Sequence, residues 1–82
     1  MIEIRDFGDK RTIVLYTDEN KVYQKYRDLK KVIKVIPYTQ TQTIKKEQKE
    51  VMVGVDIYFP KTSKNWLEKG VSGVSKTAIS YA

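Results

Sequence analysis

Two runs of residues carry the types and spacing needed to hold a polyanion. Tyr23, Arg27, Lys30, Lys31 and Lys34 form the first, and Lys45, Lys46 and Lys49 form the second. Lysine and arginine side chains contact phosphate oxygens, and a tyrosine among them can stack on a base or donate to the backbone. On a helical wheel the first run lies along one flank of a predicted helix. The second sits in a predicted loop that a hairpin could extend as a flexible ribbon arm. The same residues also describe an ordinary solvated helix face and a loop diluted by Glu47 and Glu50. The nucleic-acid reading is quantitative: about six phosphate contacts on B-DNA give a log–log salt slope of about −5.

Asp56, within VGVDIYF, is the one acidic residue in the strongest strand signal. It could be a metal-binding acid, with Glu50 or Asp18 joining it. No spacing here demands a metal, however, and the favoured reading is an outward-facing residue of a half-buried strand. Six tyrosines, two phenylalanines and one tryptophan form a third candidate set. Tyr16, Tyr38 and Tyr58 fall on predicted strands, where they could stack bases or anchor a protein, although packing at the rim of a small core is the favoured role. Trp66 is expected to anchor the second helix in the core.

Catalysis is the weakest reading. The chain has no His and no Cys. That leaves no imidazole base, no Ser-His triad and no thiol nucleophile. No phosphate-cradling glycine motif is present. A catalytic site, metal, cofactor or small-molecule substrate is therefore not expected.

The 82 residues carry 16 Lys+Arg against 10 Asp+Glu, a formal net charge of +6. Three basic and five acidic residues fall in 1–19, and thirteen and five in 20–82, so the segments carry −2 and +8. A basic balance favours nucleic acid, acidic proteins or anionic lipid as partners. The absence of cysteine, of an apolar leader and of a long apolar run predicts a cytoplasmic protein with no membrane partner. In composition the chain resembles small Lys- and Tyr-rich proteins of phages and mobile elements.

The elements that must position these groups follow from hydrophobic period. Residues 1–17 predict a hairpin turning at Gly8-Asp9, with Ile4 opposite Ile13, Ile2 opposite Leu15 and Asp6 opposite Arg11. Residues 18–31 predict a helix capped by Asp18, its inward stripe being Val22, Tyr26, Leu29 and Ile33. Residues 32–44 predict a strand that Pro37 confines to an edge. KKEQKE (45–50) reads as a loop, and 51–59 as a strand with Val51, Val53, Val55, Ile57 and Phe59 on one face. Pro60 is expected to end that strand. Thr62 or Ser63 would cap a short helix closed by Gly70.

The expected fold is α+β: a four-stranded, mostly antiparallel sheet in β-β-α-β-β-α order, with helices packed on one face. Residues 1–70 form the domain and 71–82 a flexible tail. The function expected is non-catalytic nucleic-acid binding. The alternative is a protein-binding adaptor or inhibitor acting through the exposed edge at Pro37–Ile44 or as a homodimer.

Overall fold

Alternating isoleucines build the first hairpin. In the computed structural model, which describes residues 1–81, β1 (Ile2–Asp6) pairs antiparallel with β2 (Thr12–Thr17). Ile2, Ile4, Ile13 and Leu15 share the core face as the alternation requires. The register differs from the expected one by two residues, because Ile4 faces Leu15 and Asp6 faces Ile13. The cause lies in the turn. The Asp9 carboxylate accepts hydrogen bonds from the backbone N–H groups of Arg11 and Thr12, and from the Thr12 hydroxyl, each at 2.9 Å. Gly8 and Lys10 adopt positive φ, and the Phe7 N–H closes the wider loop on the Thr12 carbonyl. A slip of two leaves every side chain on its original face. It does remove the Asp6–Arg11 pair, and Asp6 instead lies 3.8 Å from the Lys61 ammonium.

The helix α1 (Asn20–Tyr26) is shorter than its pattern predicts. Asp18 does not cap it. Its carboxylate accepts a 2.6 Å hydrogen bond from the Met1 amino group, which holds the Asp18 pKa below the ordinary aspartate value. Val22 and Tyr26 are buried, but Leu29 and Ile33 are exposed, so the predicted stripe breaks after Tyr26. The Ile33 N–H is already donated to the Tyr58 carbonyl in the sheet, so the chain has left the helix by then.

The second hairpin is far longer than the first. β3 (Lys34–Ile44) and β4 (Glu47–Pro60) meet at a two-residue turn, where Lys45 and Lys46 both adopt positive φ. Residues 47–50, expected as loop, belong to β4. So does Pro60, which was expected to end it and instead pairs with Thr12. The alternation on β4 carries only Val55, Ile57 and Phe59 into the core. Val53 is exposed at the register shift opposite Tyr38/Thr39. β2 covers β4 only from Val55 to Pro60, so the distal part of the hairpin is a two-stranded ribbon. It gives the molecule a long axis of 46 Å, against 28 and 25 Å across.

After a 3₁₀ turn (Lys61–Ser63), α2 (Lys64–Val74) runs past Gly70, which was expected to end it. Ser63 holds the cap position, but its hydroxyl accepts no capping hydrogen bond from the helix N–H groups. The segment expected as a tail contains the end of α2 and a fifth strand, β5 (Ile79–Tyr81), which pairs parallel to β1. The sheet is therefore five-stranded and mixed, mostly antiparallel, in the order β3-β4-β2-β1-β5, with two helices.

Both helices lie on one face. Val22 and Tyr26 of α1 and Leu67 and Val71 of α2 pack on the apolar sheet face. The other face carries no helix. Across it runs one register row: Ser80, Glu3, Tyr16, Asp56, Ile36. A second row is Arg5, Val14, Tyr58, Lys34. No helix among the described residues is long and apolar enough to cross a membrane.

Candidate functional site

Because α1 ends at Tyr26, the first basic run does not lie along a helix flank. Tyr23 is on α1, half-buried against the core. Arg27 caps the helix, Lys30 and Lys31 lie in the turn that follows, and Lys34 opens β3. Three of these cations sit near aromatic rings. The Arg27 guanidinium is 5.5 Å from the Tyr23 centroid, the Lys31 ammonium 4.3 Å from Trp66, and the Lys34 ammonium 6.0 Å from Tyr58. Tyr58 in turn meets Phe7 edge-on. Trp66 packs edge-on against Tyr26 and Phe59, yet it remains 41% exposed, so it is a rim residue rather than the expected core anchor.

Lys45 and Lys46 form the tip of the ribbon, and Lys49 lies opposite Gln42 on its exposed shaft. At about 3.4 Å per residue, the ten steps from Lys34 to Ile44 place the tip roughly 34 Å from the first group. The basic residues thus fall into two groups along the β3 side of the molecule. Among the described residues, Lys30, Lys31, Lys34, Lys45, Lys46 and Lys49 make no ion pair. Arg27 differs, because its Nε donates to Asp28 at 3.2 Å.

Asp56 lies on the face opposite Val55, Ile57 and Phe59, as its alternation predicts, but it is not open to solvent. It is 1% exposed, on the sheet face that no helix covers. Arg5 reaches across from β1, and its Nη2 donates to Asp56 Oδ2 at 2.7 Å. The Tyr38 hydroxyl donates to the same oxygen at 2.5 Å. Asp56 Oδ1 is buried without a partner among the described residues. Tyr16, directly opposite Asp56, lies over Gly54. A Cβ there would stand 2.8 Å from two ring carbons, so the close seat of the ring requires glycine. Arg5, Tyr16, Tyr38 and Asp56, with Met1 and Glu3, line an open cleft of about 370 Å³. Among the described residues no cluster of acidic side chains could hold a metal ion.

The charges in this cluster reinforce one another. Partial burial works against the Arg5 charge, but the hydrogen bond and charge of Asp56, with Glu3 behind, hold its pKa above the ordinary value. The hydrogen bond to Asp56, aided by desolvation and the carboxylate's charge, raises the pKa of Tyr38. A raised pKa means that the protonated hydroxyl is favoured in the folded state. Its contribution is present below the free-tyrosine pKa of about 10 and is lost as pH rises through the folded value. Ring resonances followed by NMR should show Tyr38 titrating above free tyrosine, and Asp56→Asn should bring it down. A Tyr38 titration unchanged by that substitution would remove the hydrogen bond as its cause.

Sequence could not have placed Arg5 and Tyr38 on Asp56, because they lie 51 and 18 residues away. The chain matches no protein-family model, no curated protein and no solved structure.

Proposed function

We propose that this protein binds single-stranded nucleic acid through the turn joining α1 to β3, with the ribbon tip as a second contact. The observation that carries this reading is the seating of Lys31 over the exposed Trp66 and of Lys34 over Tyr58. Each pair offers a phosphate its cation and a base its ring, within reach of one nucleotide. Among the described residues these lysines make no ion pair, and they supply the charge without displacing a described acid. A single strand suits the site better than a duplex, because stacking needs unpaired bases.

Trp66 is the only tryptophan, so its fluorescence reports directly on the site. Titration with oligo(dT) or oligo(U) at low salt should quench it. At about −0.7 per phosphate, six lysine contacts predict a log–log salt slope of about −4. Lys31→Glu with Lys34→Glu should weaken binding by about tenfold or more and reduce the slope. No quenching and no binding at low salt would end this reading.

The unpaired outer edge of β3 favours a second reading, a protein–protein contact. That contact would survive the Lys31/Lys34 reversal and would show no such salt slope.

A further inference from the structure

Strand β3 forms one edge of the sheet, and its residues 39–44 are all exposed. Edge strands are normally blunted by charge or proline. Here the blunting residues, Pro37 and Lys45, flank a stretch that contains neither: Thr39, Gln40, Thr41, Gln42, Thr43, Ile44. Residues 39–43 read the same in both directions. We propose that this edge pairs antiparallel with the same edge of a second copy, about a twofold axis through Thr41.

Three features fit this pairing, and the second sets it apart from the registers two residues away. First, the palindrome places Thr41 opposite Thr41, Gln40 opposite Gln42 and Thr39 opposite Thr43, so like side chains meet across the strands. Second, the same register sets Ile44, an exposed apolar residue, against Tyr38 of the other copy, also exposed, and the paired stretch from Tyr38 to Ile44 contains no charge. Third, the backbone groups point the right way. A two-residue turn closes on a hydrogen-bonded pair, here Ile44 with Glu47, so hydrogen-bonded and non-hydrogen-bonded pairs alternate back along β3. Thr43, Thr41 and Thr39 then aim their N–H and C=O groups outward, which is the set the twofold pairing consumes in about six interchain hydrogen bonds. Such a contact is isologous and closes as a dimer.

The pairing also brings together the two cation groups that one copy keeps apart, since Lys45 of one copy falls opposite Pro37 of the other and Lys46 opposite Ile36, close to Lys34. This inference does not rest on nucleic-acid binding. Like charges drawn together make the dimer tighter as salt rises, whereas nucleic-acid binding weakens.

Sedimentation equilibrium of the full chain from about 1 µM to 1 mM tests it, because a single strand pair lies at the weak end of interfaces. The expected result is a monomer–dimer equilibrium. Thr41→Pro, which removes an outward N–H, and Thr41→Lys, which opposes two charges at the axis, should each weaken it at least about tenfold with unchanged circular dichroism. The chain has no cysteine, so under oxidised glutathione as the two-electron oxidant Thr41→Cys should link two copies through a disulfide much faster than Ser72→Cys on the exposed side of α2. A chain that stays monomeric throughout, or a dimer that folded Thr41→Lys leaves intact, overturns the proposal.

Discussion

Arg5→Met is expected to cost about 2–3 kcal/mol, measured by urea unfolding with an unchanged denaturant slope. The substitution keeps most of the apolar stem and removes the guanidinium. It leaves the Asp56 carboxylate, 1% exposed, with the Tyr38 hydroxyl as its one remaining side-chain partner among the described residues. Removing one member of a fully buried ion pair costs roughly 3–5 kcal/mol, and the 34% exposure of Arg5 lowers that figure because water screens its side of the pair. The triple change Arg5→Met, Tyr38→Phe, Asp56→Leu should recover most of the loss, ending within about 1 kcal/mol of the parent or above it. That reversal separates a stranded charge from simple lost packing, which the triple change would not restore. A loss below about 0.5 kcal/mol for Arg5→Met would mean that Asp56 is solvated, and the account of this cluster would fail.

The second large effect concerns two residues on different helices. The Tyr26 hydroxyl is buried without a hydrogen-bond partner among the described residues, and it occupies the space where a Cβ on Gly70 would stand. Burial raises the Tyr26 pKa, as an unpartnered phenol requires. Tyr26→Phe removes an unsatisfied group and should stabilise by about 1 kcal/mol. Gly70→Ala alone brings a helix-propensity gain of about 1 kcal/mol, but it collides with the hydroxyl and should be net destabilising by about 1 kcal/mol. With both changes the collision disappears, and the pair should gain about 2 kcal/mol, far from the sum of the singles. Thermal unfolding of the four proteins in the cycle checks this. Simple additivity would mean that Tyr26 already has room to move.

The parts of the fold legible in the sequence are those governed by local period. Ile2, Ile4, Ile13 and Leu15, and Val55, Ile57 and Phe59, reach the core because strand alternation alone dictates their face. The hairpin register was not legible, because one carboxylate, Asp9, holds a four-residue loop that looks like a tighter turn on paper. Leu29 and Ile33 continued a helical spacing by coincidence, and nothing nearby announces that β4 will claim the Ile33 N–H. β5 was missed because Ile79, Ser80 and Tyr81 have little pattern of their own and pair with residues at the far end of the chain. The site divides in the same way. The lysines were visible as types. Their aromatic seats on Trp66 and Tyr58 depend on contacts between elements, and so does the Arg5–Asp56–Tyr38 cluster.

The pairing of β5 with β1 has a mechanical consequence. The two strands run parallel, with Ile2 beside Ile79 and Ile4 beside Tyr81. Tension applied through Ile2 and Tyr81 therefore pulls the strands past each other lengthwise, and their hydrogen bonds must stretch together rather than part in sequence. Forced unfolding is governed by the rate of crossing that barrier. Pulled along this axis, the domain should resist more than when pulled from the ribbon tip, where β3 and β4 can unzip one pair at a time.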